Sequence, residues 1–265
     1  SSVASTELVL LRQIIEGQNL QQLAYNTSSA KSVTLSFWVR STKTGTYVCE
    51  LYNVSTGSSL NRTQSHQYTI SAADTWEHKT ITFSGDTAAI MDNDSNASLY
   101  VSWCLQSGSD YSSGGSTNST WTTDTGSGTT NRYSGQVNFF DSTSNNFYLT
   151  GVQLEVGKQA TPFEHRSFAD ELDRCHRYFY KRPADGSGED DLIVSSDYNN
   201  LTNNFYISFF SPKEMRARPS YQNASGWVTQ SPTNINEGVR WTAFNFSNGG
   251  AYLDRSTTFE FDAEL

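Results

Sequence analysis

The stretch FYLTGVQLEVGKQATPFEHRSFADELDRCHRYFY, residues 147–180, holds a strand, a turn and a helix in succession. Phe147 and Leu149 fall on one face by alternation, whereas Val152, Leu154 and Val156 alternate in the opposite phase, and a bulge at Gly151 reconciles the two runs. Gly157 and the pair Thr161-Pro162 end the strand near Val156, because the proline ring drives the residue before it into extended geometry. The helix is expected over residues 168–180. Ser167 with Asp170 three positions on reads as a capping box, and Phe168, Leu172, Cys175 and Phe179 share one face. Asp170, Glu171 and Asp173 sit at the positive end of the dipole, Arg174, Arg177, Lys181 and Arg182 near the negative end, and Pro183 stops the helix.

Before this stretch the chain reads as short strands. Residues 7–16 are an apolar run of strand length. Val33, Leu35, Phe37 and Val39 alternate with Thr34, Ser36, Trp38 and Arg40, the pattern of a half-buried antiparallel strand that points Trp38 away from the core. Residues 46–52, 67–70 and 76–83 read as further strands, with residues 53–62 as loop. Leu99, Val101, Trp103 and Leu105 alternate with Tyr100, Ser102 and Cys104. With residues 137–140 and 147–156 this makes about eight strands, the number of a jelly roll. Beyond Pro183 a polar linker leads to expected strands at 192–194, 204–210, 226–228, 239–246, 251–254 and 257–265, where Phe259, Phe261, Ala263 and Leu265 share a face. The expected fold class is therefore all-β: a jelly-roll β-sandwich over residues 1–165, a short connecting helix over 166–183, and a second, smaller β-sandwich-like domain over 184–265.

Composition narrows the function. Of the 265 residues 17% are charged, against about 25% in an average globular protein. The net charge of −9 argues against a phosphate-binding surface, so nucleic acid is not an expected partner. No apolar run approaches the ~20 residues needed to span a bilayer. Ser1 in place of Met reads as a processed chain or a fragment. The three cysteines, Cys49, Cys104 and Cys175, are far apart and read as small buried hydrophobes. His66, His78, His165 and His176 fall in no metal-ligand spacing, and neither a nucleophile elbow nor a phosphate loop occurs. Glu164 with Glu155 or Asp170 could form a glycosidase pair, but acids flanking a capped helix read more simply as dipole partners. Asp92, Asp94 and Asn96 are spaced like the start of a calcium loop. Ala97 stands where the turn glycine belongs and Trp103 where the bidentate acid belongs, which excludes an EF-hand and leaves a simpler calcium site or an Asx turn. No enzyme activity, cofactor or metal is expected.

Residues 106–135 form a long Ser/Thr/Gly/Asn segment interrupted by Tyr111, Trp121 and Tyr133. Loops of this length are uncommon unless functional or disordered. Pyranose rings offer C–H faces that stack on aromatic side chains, so Tyr111, Trp121 and Tyr133 are candidate glycan contacts. The alternative is a loop that packs its own aromatics or docks on a neighbouring subunit. Trp38 with the stripe Phe168, Leu172 and Phe179 is the candidate oligomer contact, although a helix stripe more commonly covers its own sheet.

The segments GVQLEVG (151–157) and TPFEHRSFADELDRCHRYFYKR (161–182) resemble a junction of tail-fibre-like structural proteins of tailed bacteriophages. IIEGQNLQQL (14–23), SVTLSFWVRSTKTGTYV (32–48), EMRARPSY (214–221) and FDAEL (261–265) look like other pieces of the same family. The resemblance implies a carbohydrate-binding-module-like jelly roll on a virion protein, assembled as a homotrimer with other virion proteins. It implies a non-enzymatic role in adsorption to host surface polysaccharide. It supplies no functional residues, and the 106–135 segment lies outside it. A purely structural tail or capsid component, and a carbohydrate-binding module detached from an enzyme, are the alternative readings.

Overall fold

A computed structural model describes residues 3–54, 61–113, 117–124, 131–182, 205–210, 212–217, 220–222, 234–238, 241–246 and 259–263. The chain divides into two compact units, Ser1–Glu164 and His165–Leu265.

The first unit is an antiparallel β-sandwich. Its strands are β1 (Leu8–Glu16), β2 (Val33–Ser41), β3 (Gly45–Asn53), β4 (Arg62–Ile70), β5 (Glu77–Phe83), β6 (Ala97–Ser107), β7 (Thr122–Thr123) and β8 (Phe147–Val156). One sheet runs β1-β6-β3-β4-β7 and the other β5-β2-β8. Successive strands repeatedly change sheet, from β1 to β2, β2 to β3, β4 to β5 and β5 to β6, so the connections cross between the layers as they do in jelly rolls. The period-2 pattern of β2 settles which side faces in: Leu35, Phe37 and Val39 are fully buried while Trp38 is 44% exposed. They meet Tyr47, Cys49, Leu51, Leu99, Val101 and Trp103 of the other sheet. Phe37 lies edge-on to both Tyr68 and Trp103, at centroid separations of 5.2 and 5.6 Å.

Two expected features change. Residues 137–140 are not a strand: Phe139–Asp141 is a 3-10 turn whose Phe139 tucks into the core. The eighth strand is instead β7, two residues of the long insert paired to the edge of β4, and β4 itself starts at Arg62, well before Gln67. Alternation does not reveal Thr63 to His66, because both faces of β4 are covered there and its side chains are polar.

The bulge in β8 is present. Ser36 pairs with Gln153 and Trp38 with Thr150, so β8 spends one more residue than β2 over this interval. Gly151 takes it up at φ 57°, in the left-handed region that glycine enters without steric cost.

The second unit holds two three-stranded antiparallel sheets, which makes it a smaller, β-sandwich-like unit. With β9 (Phe179–Arg182), β10 (Phe205–Phe210), β11 (Ser220–Gln222), β12 (Asn234–Gly238), β13 (Trp241–Phe246) and β14 (Phe259–Asp262), the orders are β10-β13-β12 and β11-β14-β9. The strands expected at 204–210, 239–246 and 257–265 correspond to β10, β13 and β14. Those expected at 192–194, 226–228 and 251–254 lie outside the described residues.

The helix is shorter than expected. After α1 (Ser109–Ser112), a single turn in the first unit, α2 (Phe168–Cys175) belongs to this second unit, and Phe179 leaves its expected helix face to open β9, where it pairs with Asp262 of β14. The aromatic run Tyr178, Phe179, Tyr180 suits a pleated strand, and pairing with β14 overrides helical continuation. The cap is as read in its first half, since Ser167 Oγ accepts from the Asp170 amide at 3.1 Å. Asp170 does not complete the box: its carboxylate accepts a hydrogen bond from the Ser167 hydroxyl at 2.7 Å instead of one from the Ser167 amide.

Candidate functional site

The 106–135 segment is fastened to the five-stranded sheet by two arginines, Arg132 over its outer face and Arg62 in the core-facing phase of β4. Arg132 forks onto Glu50 of β3, with Nε to Oε1 at 2.6 Å and Nη2 to Oε2 at 2.8 Å, and its Nη1 reaches Asp124 at 3.0 Å. Glu50 also accepts from Thr63 and from the Tyr133 hydroxyl, both at 2.5 Å, and Asp124 accepts from Tyr52 at 2.7 Å. Arg62 of β4 donates through Nε to both carboxylate oxygens of Asp86, at 3.0 and 2.8 Å, while its Nη2 holds the Trp121 carbonyl at 3.1 Å and its Nη1 the Thr123 hydroxyl at 3.2 Å.

Electrostatics follow from this closure. Burial pulls Arg132 toward its neutral form, but the bonds and charge of Glu50 outweigh it and raise its pKa. Burial, and then the Glu50 charge, drive the Tyr133 phenol well up; burial followed by the Asp124 hydrogen bond does the same at Tyr52. A carboxylate so saturated with donors makes a clamp, not a general acid or base.

This arrangement removes Tyr133 from the expected glycan contacts and gives Trp121 and Tyr111 packing roles. Tyr133 is fully buried in a cluster with Val48 and Cys104 and offers no face to a ligand. Trp121 is half-buried: its ring meets Tyr25 edge-on at 5.8 Å and its Nε1 donates to the Ser84 carbonyl at 2.6 Å. Tyr111 is half-buried against the Tyr133 cluster, 5.7 Å from the Arg132 guanidinium. The three aromatics anchor the segment separately and do not converge on a platform.

A platform does exist on the outer face of the three-stranded sheet. β2 is its central strand, and the even positions that point outward from it include Trp38 and Arg40. Trp38 pairs with His78 on one side and Thr150 on the other; Arg40 pairs with Tyr148, and Trp76 stands one residue before the Val39–Glu77 pair, opposite Arg40. Two rungs result, Tyr148–Arg40–Trp76 and Thr150–Trp38–His78, about 7 Å apart as i and i+2 positions of a strand are. The Arg40 guanidinium lies 4.4 Å from the Tyr148 ring centroid and 5.7 Å from that of Trp76. Trp38 tilts against His78 at 5.1 Å and its Cδ1 lies 3.1 Å from where a Cβ on Gly151 would stand. Trp38, Trp76 and Tyr148 are 44, 41 and 42% exposed.

The opposite end of this face is closed. After β8, residues 157–164 turn back along it: the Thr34 hydroxyl donates to the Gly157 carbonyl at 2.9 Å, the Glu164 amide donates to Gln153 at 2.8 Å and the Thr161 amide to Glu155 at 3.0 Å. Thr34 and Ser36 are buried at that end, so the open part of the face is the aromatic part.

Each platform residue was individually legible. Trp76 is in the outward phase of His78, and Tyr148 in the phase opposite Phe147 and Leu149. Nothing in the sequence states that the three strands are neighbours in this register.

On α2, Phe168 is 80% exposed and Leu172 42%, with Cys175 also exposed rather than buried, so among the described residues this stripe covers no sheet of its own unit. Cys49 and Cys104 are buried as expected, on opposite faces of their sheet, because Cys104 is in register with Val48. Asp94 forms an Asx turn, accepting from the Asn96 amide at 3.0 Å and its side-chain nitrogen at 2.6 Å. Among the described residues no group of three or more His, Cys, Asp or Glu is placed to hold a metal, and no helix is long and apolar enough to cross a membrane. No protein-family model and no curated protein matches the chain.

Proposed function

We propose that the first unit is a non-enzymatic glycan-binding module, and that the chain serves as a virion component of tail-fibre type adsorbing to host surface polysaccharide. The observation that carries the binding reading is the ladder of Trp38, Trp76 and Tyr148, three large rings held exposed on one side of one sheet. A folded protein does not gain stability by exposing such rings together, and exposed apolar surface gathered in one place marks a recognition site. Flat rings on a rigid sheet stack on the C–H faces of sugars without loss of much conformational freedom.

The nearby carboxylates support binding over catalysis. Glu77 is held low first by its Lys79 hydrogen bond, and Glu155 by that from Thr161. A glycosidase acid needs the opposite shift. The virion assignment rests on the sequence resemblance described above.

Binding to an array of bacterial surface polysaccharides tests the site. Trp38→Ala and Trp76→Ala are expected to weaken binding ten-fold or more with unchanged melting, whereas Trp121→Ala lowers stability and spares affinity in the folded protein. Affinity that follows Trp121 and ignores Trp38 and Trp76 would return the site to the 106–135 segment.

A structural role is the second reading, favoured by the exposed Phe168 and Leu172 on α2. It expects a trimeric mass in sedimentation equilibrium that falls toward the monomer in Phe168→Ser with Leu172→Ser; a monomeric native protein removes it.

A further inference from the structure

We infer that the aromatic ladder takes an acidic glycan and that Arg40 pairs with a sugar carboxylate. The inference rests on the glycan-binding reading of the same face and goes on to name the ligand class.

Arginines elsewhere in the sandwich show what this chain ordinarily does with the side chain. Arg62 is paired with Asp86 through Nε, Arg132 is forked onto Glu50, and Arg12 donates through Nε to the Ser102 hydroxyl at 3.0 Å while lying 4.5 Å over Tyr100. Arg40 differs from all three. Its Nε is buried without a hydrogen-bond partner, and no carboxylate among the described residues pairs with its guanidinium. In a chain with 27 Asp and Glu against 18 Lys and Arg, partners are not scarce, so an unmatched cation between two exposed rings stands out.

The two rings make this a built position. Tyr148 and Trp76 hold the guanidinium by cation–π contact, which restrains the long side chain while leaving its donors uncommitted. A guanidinium so restrained loses less freedom when it engages a planar acceptor, and its terminal Nη1 and Nη2 match a carboxylate with two parallel bonds, the buried Nε taking no part. A uronic-acid-type sugar carries both required features: a C–H face for a ring and a carboxylate projecting from its edge. The second rung, about 7 Å along the strand, then lies under the neighbouring sugar, with Trp38 as its stacking face. The acidic groups near the face do not oppose such a ligand, because Glu155 and Glu164 lie at its closed end, where Glu155 is bonded to Thr161 and the Glu164 amide to Gln153, and Glu77 stands in the core-facing phase of β5, paired with Lys79.

The test uses the full chain against acidic and neutral bacterial polysaccharides and a phosphate-bearing teichoic-acid-type polymer. Each carboxylated member is measured before and after carbodiimide–borohydride reduction of its carboxyls to alcohols. The expected result is binding to one or more carboxylated members, weakened ten-fold or more by reduction and by raised salt. Arg40→Gln should lose that preference and bind native and reduced polymer alike, Arg40→Lys should keep part of it, and Trp38→Ala should lose both. Unchanged melting of Arg40→Gln shows that the fold is retained. Binding only to neutral or phosphate-bearing polymers, or to carboxylated ones with no effect of reduction or of Arg40→Gln, overturns the inference and leaves the glycan reading standing. Binding to no member overturns both.

Discussion

Two arginines on the outer faces of one sandwich do opposite things, and their partners explain why. Arg132 is enclosed with Glu50, whose side chain has no exposure, so each charge depends on the other for the solvation it has lost. Arg40 is stacked between rings and unmatched. Removing a partner from an enclosed pair leaves a buried charge, a change that costs about 3–5 kcal/mol. Glu50→Gln is therefore expected to lower unfolding free energy by about 3 kcal/mol in urea titration. Arg40→Gln, which breaks no ion pair, is expected to stay within about 0.5 kcal/mol. His66 offers a second readout. Burial against Phe83, 5.0 Å away edge to face, lowers its pKa below the usual imidazole value. The unfolded chain then binds the proton more readily than the native one, so this contribution is complete above about pH 6.5 and is lost as pH falls below it. Replacing His66 with Gln should flatten the decline in melting temperature as pH falls below about 6.5, and an unchanged slope would remove His66 as its source.

The bulge in β8 ties backbone geometry to the platform. Phe147 and Leu149 must face the core, and so must Leu154, which uninterrupted alternation from Phe147 forbids; one extra residue at Gly151 restores the phase. The same residue lies under the Trp38 ring, so Gly151→Ala places a side chain in the left-handed region and also against that ring. A cost of about 1–2 kcal/mol is expected from the backbone alone. Because the Trp38 ring must also shift, glycan affinity is expected to fall with stability, and calorimetry with binding on the one variant separates this from a purely local strain. α2 shows the reverse dependence. Its start follows from Ser167, a local signal, whereas its end at Cys175 follows from the pairing of Phe179 to Arg182 with Phe259 to Asp262, far along the chain.

The long segment 106–135 makes the sandwich thicker than its strand patterns imply. In β6, Leu99, Val101 and Trp103 are buried toward the core, and Cys104 on the other face is buried as well, in a cluster with Tyr133 and Tyr111 of the segment. Deleting residues 109–134 takes away Arg132, Tyr133, Asp124 and Trp121 together and leaves Glu50 uncompensated. Loss of a buried pair alone costs about 3–5 kcal/mol, and each kcal/mol moves a domain of this size by about 2–4 °C, so the melting temperature is expected to fall by about 10 °C or more. An unchanged melting curve would show that the clamp contributes little. Much of the architecture was legible in the amino-acid order, because a period of two is a local property: the inward residues of β2 and β6, the outward Trp38, the bulge at Gly151 and the Ser167 cap each depend on neighbours within a few positions. The function of the aromatics was not legible in that way. Tyr111, Trp121 and Tyr133 lie close in sequence and are separated by packing, because enclosure beneath a loop depends on which distant carboxylates meet its arginine. Trp38, Trp76 and Tyr148 are scattered in sequence and come together because β2 pairs with β5 on one side and β8 on the other, and strand register is a long-range relation that no local pattern contains.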